Sequence, residues 1–163
     1  MLDAVSRSAN LAAEWFMAVL LAGMTLLVGA QIAGRFLFGY SIFWSDEAAR
    51  YLLVWIAFLG ISAGVRRGAH PGVDSLVRSL PPRWARPICL ATVACCLLFF
   101  LVMVGHGALL VVRTWAQRSP SLGLRMGIPY LAVPVSGLLM GLHTAAAARK
   151  SGGVRERAGG LGG

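Results

Sequence analysis

Charge is missing from long stretches of this chain. No Asp, Glu, Lys or Arg occurs in residues 15–34, 51–65, 87–112 or 126–148, and these stretches make up more than half of the 163 residues. A helix rises about 1.5 Å per residue, so crossing a hydrocarbon core of about 30 Å takes about 20 mostly apolar residues. Three stretches meet that length directly. The second meets it if its helix starts near Ser45, with a charged first turn in the headgroups.

Acid is scarce, with 6 Asp plus Glu against 15 Lys plus Arg and a net charge of +9. The basic residues are scattered over loops and tails, without the single tract and interleaved aromatics of a nucleic-acid face. The partner they imply is the lipid bilayer. Charged residues are only 13% and hydrophobic residues 58% of the chain, whereas about a quarter of a soluble domain is charged. The 3 cysteines, Cys89, Cys95 and Cys96, all fall in the third apolar stretch without CxxC spacing. They read as small apolar side chains, so neither a disulfide framework nor a metal site is implied. No nucleophile elbow or phosphate loop is present, and no cofactor or enzymatic activity is expected.

What is present specifies an all-α, polytopic membrane protein with four transmembrane helices. The spans are predicted at about 14–34, 46–66, 87–112 and 126–148, in one membrane domain over residues 1–148. Residues 149–163, basic and Gly-rich, are predicted to be a disordered cytoplasmic tail. Positive charge is concentrated in the second loop and the C-terminal tail, which places both termini in the cytoplasm. The first span is read as a retained helix. It follows 14 polar-leaning residues and runs for 20, longer than the about 7–15 residues of a signal-peptide core. In the second loop Val73, Leu76, Val77 and Leu80 recur at helical spacing before Pro81-Pro82. They predict a short interfacial helix on the inner membrane surface, with Trp84 as a neighbouring anchor.

Two histidines lie inside spans, which raises a b-type haem anchor as an alternative. His106 would sit about 10 Å and His143 about 26 Å below the outer ends of their helices, too far apart in depth for one iron. Each is instead expected to bond to a neighbouring helix or lie near the headgroups. His70 reads as a loop residue that caps backbone groups. A small multidrug-type exporter is a further alternative, but such a carrier needs an acid deep in a span. Glu14 stands at the edge of the first.

Gly60 with Gly64, and Gly137 with Gly141, form GxxxG patterns that let helices approach closely. Tyr51, Trp55 and Phe58 share a helix face that Trp44 continues. That face reads equally as a lipid-facing aromatic belt or as a seam against a partner. At the start of the second helix Ser45 is placed as N-cap. Asp46 and Glu47 fall in the first turn, where the helix dipole favours acids, and Arg50 lies within pairing range of both.

The segment from Arg35-Phe36 through Trp44-Ser45-Asp46-Glu47-Ala48-Ala49-Arg50 to Trp55, Phe58 and Gly60, followed by His70 and Asp74, resembles the small permease subunit of tripartite ATP-independent periplasmic (TRAP) transporters, the DctQ family. Ser119-Pro120-Ser121-Leu122-Gly123, leading to Tyr130 and Val133-Pro134-Val135, extends the resemblance over about residues 10–148. The resemblance implies a multi-pass protein of the bacterial inner membrane that packs against a large TRAP permease subunit. A periplasmic solute-binding protein would dock transiently, and an organic acid would enter on an ion gradient. The residues it implies for the partner interface are Arg35, Trp44, Asp46, Glu47, Arg50, Tyr51, Trp55, Gly60, Gly64 and Pro134.

Overall fold

A computed structural model describes residues 2–40, 42–66 and 82–159. Within them the chain forms helices α1 (Leu2–Phe38), α2 (Ser45–Arg66), α3 (Pro82–Thr114), α4 (Gly127–Tyr130) and α5 (Ala132–Gly159). Four of these segments are long and apolar enough to cross a membrane: Ala4–Phe38, Ser45–Arg66, Pro87–Thr114 and Gly127–Ala148. The predicted interfacial helix at 73–80 and His70 lie outside the described residues.

Local chemistry sets the boundaries. α1 stops at Phe38, where Gly39 takes a φ of 62° and the Tyr40 amide turns back to the Gly34 carbonyl at 3.1 Å. Only a residue without a Cβ adopts that φ at no steric cost. The fourth apolar stretch is interrupted at Leu131, between α4 and α5. Pro134 has no N–H for the Tyr130 carbonyl, so the regular ladder breaks there. α1 begins well before the predicted span, because the polar segment ahead of residue 14 continues the helix and is bonded to α2 and α5 at Ser6. α5 runs to Gly159, past the start of the predicted tail at residue 149. No proline follows the Ala-rich turn at 145–148, so an established helix extends at little further cost.

α5 is the centre of the assembly. It packs on α1, α2 and α3, whereas among the long helices α3 meets α5 alone. Among the described residues, beside Leu59, Phe100 and Met140, the small side chains of Ser45, Ser62 and Ser136 are the most completely buried at the contacts. Without a hydrophobic driving force between helices in lipid, such residues let backbones approach closely enough for dispersion to hold them. The seam between α3 and α5 is close. A Cβ on Gly107 would come within 2.9 Å of Pro134 Cδ and 3.1 Å of its backbone nitrogen, and one on Gly137 within 2.9 Å of Val104 Cγ2. Gly141, the expected partner of Gly137 in a GxxxG pair, faces open space. Each helix thus contributes one glycine to the seam, Gly107 against Val133 and Pro134 and Gly137 against Met103 and Val104.

The outer helices leave most of their apolar surface uncovered. Of the most apolar window of α1 none is buried and of α3 6%, against 39% for the window within Gly127–Ala148.

Candidate functional site

The two ends of the bundle are fastened by different groups. At one end a hairpin follows α3: the Ser119 amide bonds the Leu124 carbonyl at 2.8 Å and the Gly123 amide bonds the Ser119 carbonyl at 3.1 Å. Gly123 supplies the required φ of 65°. Arg118 donates to the Gly123 carbonyl at 3.1 Å, and the Arg125 guanidinium lies 5.5 Å from the centre of the Trp115 ring. Gly127 leaves room for that ring, because a Cβ there would meet it.

Glu47 joins this hairpin to α2. Its Oε2 accepts the backbone amides of Ser121 at 2.8 Å and Leu122 at 3.2 Å, and its Oε1 accepts the Tyr51 hydroxyl. The Tyr51 hydroxyl also lies 3.1 Å from Met126 Sδ. One carboxylate therefore ties the second helix to a loop more than 70 residues downstream. Charge-assisted bonds of this kind are about twice as strong as neutral ones.

Its neighbours act elsewhere. Asp46 accepts from Gln31 Nε2 at 2.7 Å, which fastens the start of α2 to α1. Ser45 does not serve as the expected N-cap; its hydroxyl donates to the Ile42 carbonyl at 2.6 Å and closes the turn that precedes the helix. Arg50 pairs with neither acid. The carboxylate oxygens of Glu47 are taken by Tyr51 and the hairpin, and among the described residues Arg50 makes no ion pair, so its side chain stands exposed in the groove beside them. That groove has a volume of about 460 Å³ and lies between α2, the hairpin and α4.

The remaining residues of the expected interface separate into inward and outward sets. Trp55 meets Phe16 of α1 edge to face with ring centres 6.1 Å apart, and Gly60 faces Met17 of the same helix. Pro134 is buried against Gly107, and Gly64 is half-buried on α2. Tyr51 and Trp55 thus engage different neighbours and do not form one continuous belt. Arg35 and Trp44 are exposed, next to a run of exposed apolar side chains that includes Phe36 at 82% and Phe43 at 72%.

At the opposite end Ser6 Oγ lies 2.8 Å from His143 Nδ1 of α5, and Arg66 of α2 donates to the Ser6 carbonyl at 3.0 Å. His106 instead lies 3.2 Å from the Val102 carbonyl of its own helix. Spacing on one helix could not reveal Ser6, Gln31, Ser121, Leu122 or Gly107. The one available signal was the Ser-Pro-Ser-Leu-Gly run, a turn sequence inside an apolar chain.

The sequence pattern of the family described as tripartite ATP-independent periplasmic transporters, DctQ component, matches residues 24–151. The C4-dicarboxylate TRAP transporter small permease protein DctQ of Vibrio cholerae is 32% identical over 126 residues, 77% of this chain and 51% of that protein. A putative TRAP transporter small permease protein of Haemophilus influenzae is 28% identical over 151 residues, 86% of this chain and 87% of its own length. The isethionate TRAP transporter permease protein DctMQ of Oleidesulfovibrio alaskensis is 32% identical over 103 residues, 61% of this chain and 16% of that much longer protein. The chain spans about half the length of the curated C4-dicarboxylate relatives it matches.

Proposed function

The chain belongs to the DctQ family of TRAP transporter components, and from that premise we propose that it is the small membrane subunit of a TRAP-type secondary transporter. In this reading it holds a large permease subunit in the bilayer and helps a periplasmic solute-binding protein dock. The cargo is an organic acid, driven inward by an ion gradient. The membrane is the bacterial inner membrane, with both termini in the cytoplasm and the hairpin end of the bundle facing the periplasm.

The observation that carries the reading is the uncovered apolar surface of α1 and α3 on a chain of this family. A relative in which a matching segment occupies 16% of one longer permease polypeptide supports a stable union with a larger membrane partner. The acids near the hairpin end support a structural role as well, because Asp46 and Glu47 are bonded to Gln31, Tyr51 and the hairpin amides. Such a subunit has the part of a transporter component, not of a catalyst.

Coexpression with a large TRAP permease subunit from the same genome is the test. The two chains are expected to copurify at one to one through a tag on either. Recovery of this chain alone, with transport by the large subunit unchanged in its absence, would contradict the proposal.

A further inference from the structure

The groove beside Glu47 has a composition that the fastening of the hairpin does not use. Phe43, Val54, Met126 and Pro129 supply apolar wall, while Asp46, Arg50 and the Tyr130 phenol line the same space. Its volume of about 460 Å³ is within the roughly 300–1,000 Å³ typical of small-molecule sites. Asp46 and Arg50 stand one turn apart on α2, a spacing that puts Cβ atoms about 5–6 Å from each other and commonly yields an ion pair. They do not pair. Both are exposed; Asp46 keeps one bond to Gln31, and Glu47, which also lines the groove, is engaged by Tyr51 and the hairpin amides, so Asp46 and Arg50 are the two charges left side by side for a ligand.

We propose that this groove binds one phospholipid whose headgroup carries both a phosphate and an ammonium group. The phosphate lies on the Arg50 guanidinium, the ammonium on the Asp46 carboxylate, and the upper part of an acyl chain runs along Val54 and Pro129. A ligand with a single charge would leave one of the two side chains unmatched, and a purely apolar one would desolvate both. Position selects lipid over a protein segment. α2 enters the apolar layer at this end, Val54 lies about 13 Å further along the helix than Ser45, and phospholipid is the molecule present there at highest concentration. Side chains on a helix lean toward its N-terminal end, which for Arg50 is the direction of headgroup level.

The test uses the full chain, purified in mild detergent and exposed to mixed micelles of phosphatidylethanolamine or phosphatidylglycerol, with retained lipid counted by native mass spectrometry. The unmodified chain is expected to retain one phosphatidylethanolamine in preference to phosphatidylglycerol. Arg50→Gln should lower retention of both by about tenfold or more, the effect of losing one charge-assisted hydrogen bond. Asp46→Asn should keep binding but abolish the preference, and Val54→Trp should fill the groove and exclude lipid. Arg113→Gln, at the same end but outside the groove, should behave as the unmodified chain, and circular dichroism verifies that each variant is helical. Equal retention by the unmodified chain, Arg50→Gln and Val54→Trp would overturn the proposal. So would a photo-cross-linker at position 54 that, in the complex with the large subunit, couples to protein and not to lipid. Copurification of the two subunits is read separately, so failure of lipid binding leaves the subunit assignment standing.

Discussion

α1 and α3 flank the same central region of the bundle, yet they are attached to it by different physics. α3 meets α5 along an apolar seam set by Gly107, Gly137 and Pro134, where a Cβ on either glycine would come within 2.9 Å of a side chain of the facing helix. α1 is fixed by polar bonds near its two ends, Gln31 to Asp46 and Ser6 to His143, with the Phe16 and Trp55 rings between. The contrast shows two ways to join helices where hydrocarbon surrounds both: exclude everything but dispersion, or place a few hydrogen bonds where the alternative is an unsatisfied group. The shape-based joint should be intolerant of volume. The polar joint should lose only a little with each bond.

The largest expected effect comes from breaking the first joint. Gly107→Val should cost about 1–3 kcal/mol or more through overpacking against Pro134, read as a lower midpoint in denaturant titration in bicelles. Disulfide trapping between cysteines placed on α3 and α5 should weaken in parallel. A Gly107→Val protein of unchanged stability would mean that the seam is loose. Next is the hairpin, which links the far end of α3 to α2. Glu47→Ala should remove hydrogen-exchange protection at Ser121 and Leu122 while amides in the middle of α2 keep theirs, and it should weaken copurification with the large subunit. Retained protection at both amides would show that the hairpin holds itself.

A smaller loss is expected from the polar joint. Ser6→Ala removes the side-chain bond to His143 but leaves the Ser6 carbonyl for Arg66, so the cost should be about 0.6 kcal/mol, the average for such bonds between membrane helices. A cost matching that of Gly107→Val would erase the distinction between the two joints. Smallest of all is Gly141→Ala. Its Cβ would meet open space, so stability should change by less than about 0.5 kcal/mol.

These joints also mark what the amino-acid order made legible. The four apolar stretches and the start of α2 near Ser45 follow from hydropathy and turn chemistry, which are local. The role of Glu47 does not. Spacing of three residues offered Arg50 as its partner, but the carboxylate is claimed by the Tyr51 hydroxyl and by the amides of Ser121 and Leu122 once the hairpin folds over the helix. Backbone amides carry no residue signature, so a carboxylate that binds them looks the same in sequence as one that seeks an arginine. The glycine seam was half legible for the same reason: Gly137 stood in a recognisable pattern, while Gly107, which meets Val133 and Pro134 in the same seam, stands on another helix. Ser45 was read as a cap because its type allows it; the turn at Ile42 took its hydroxyl first.

The central claim is that this chain is a structural partner whose own helices do not move solute. Reconstitution into sealed vesicles with an imposed sodium or proton gradient, together with the cognate binding protein and its organic acid, measures it most directly. Uptake is expected only when the large permease subunit is also present and should fall to background in vesicles holding this chain alone. Concentrative uptake by this chain without the large subunit would contradict the account.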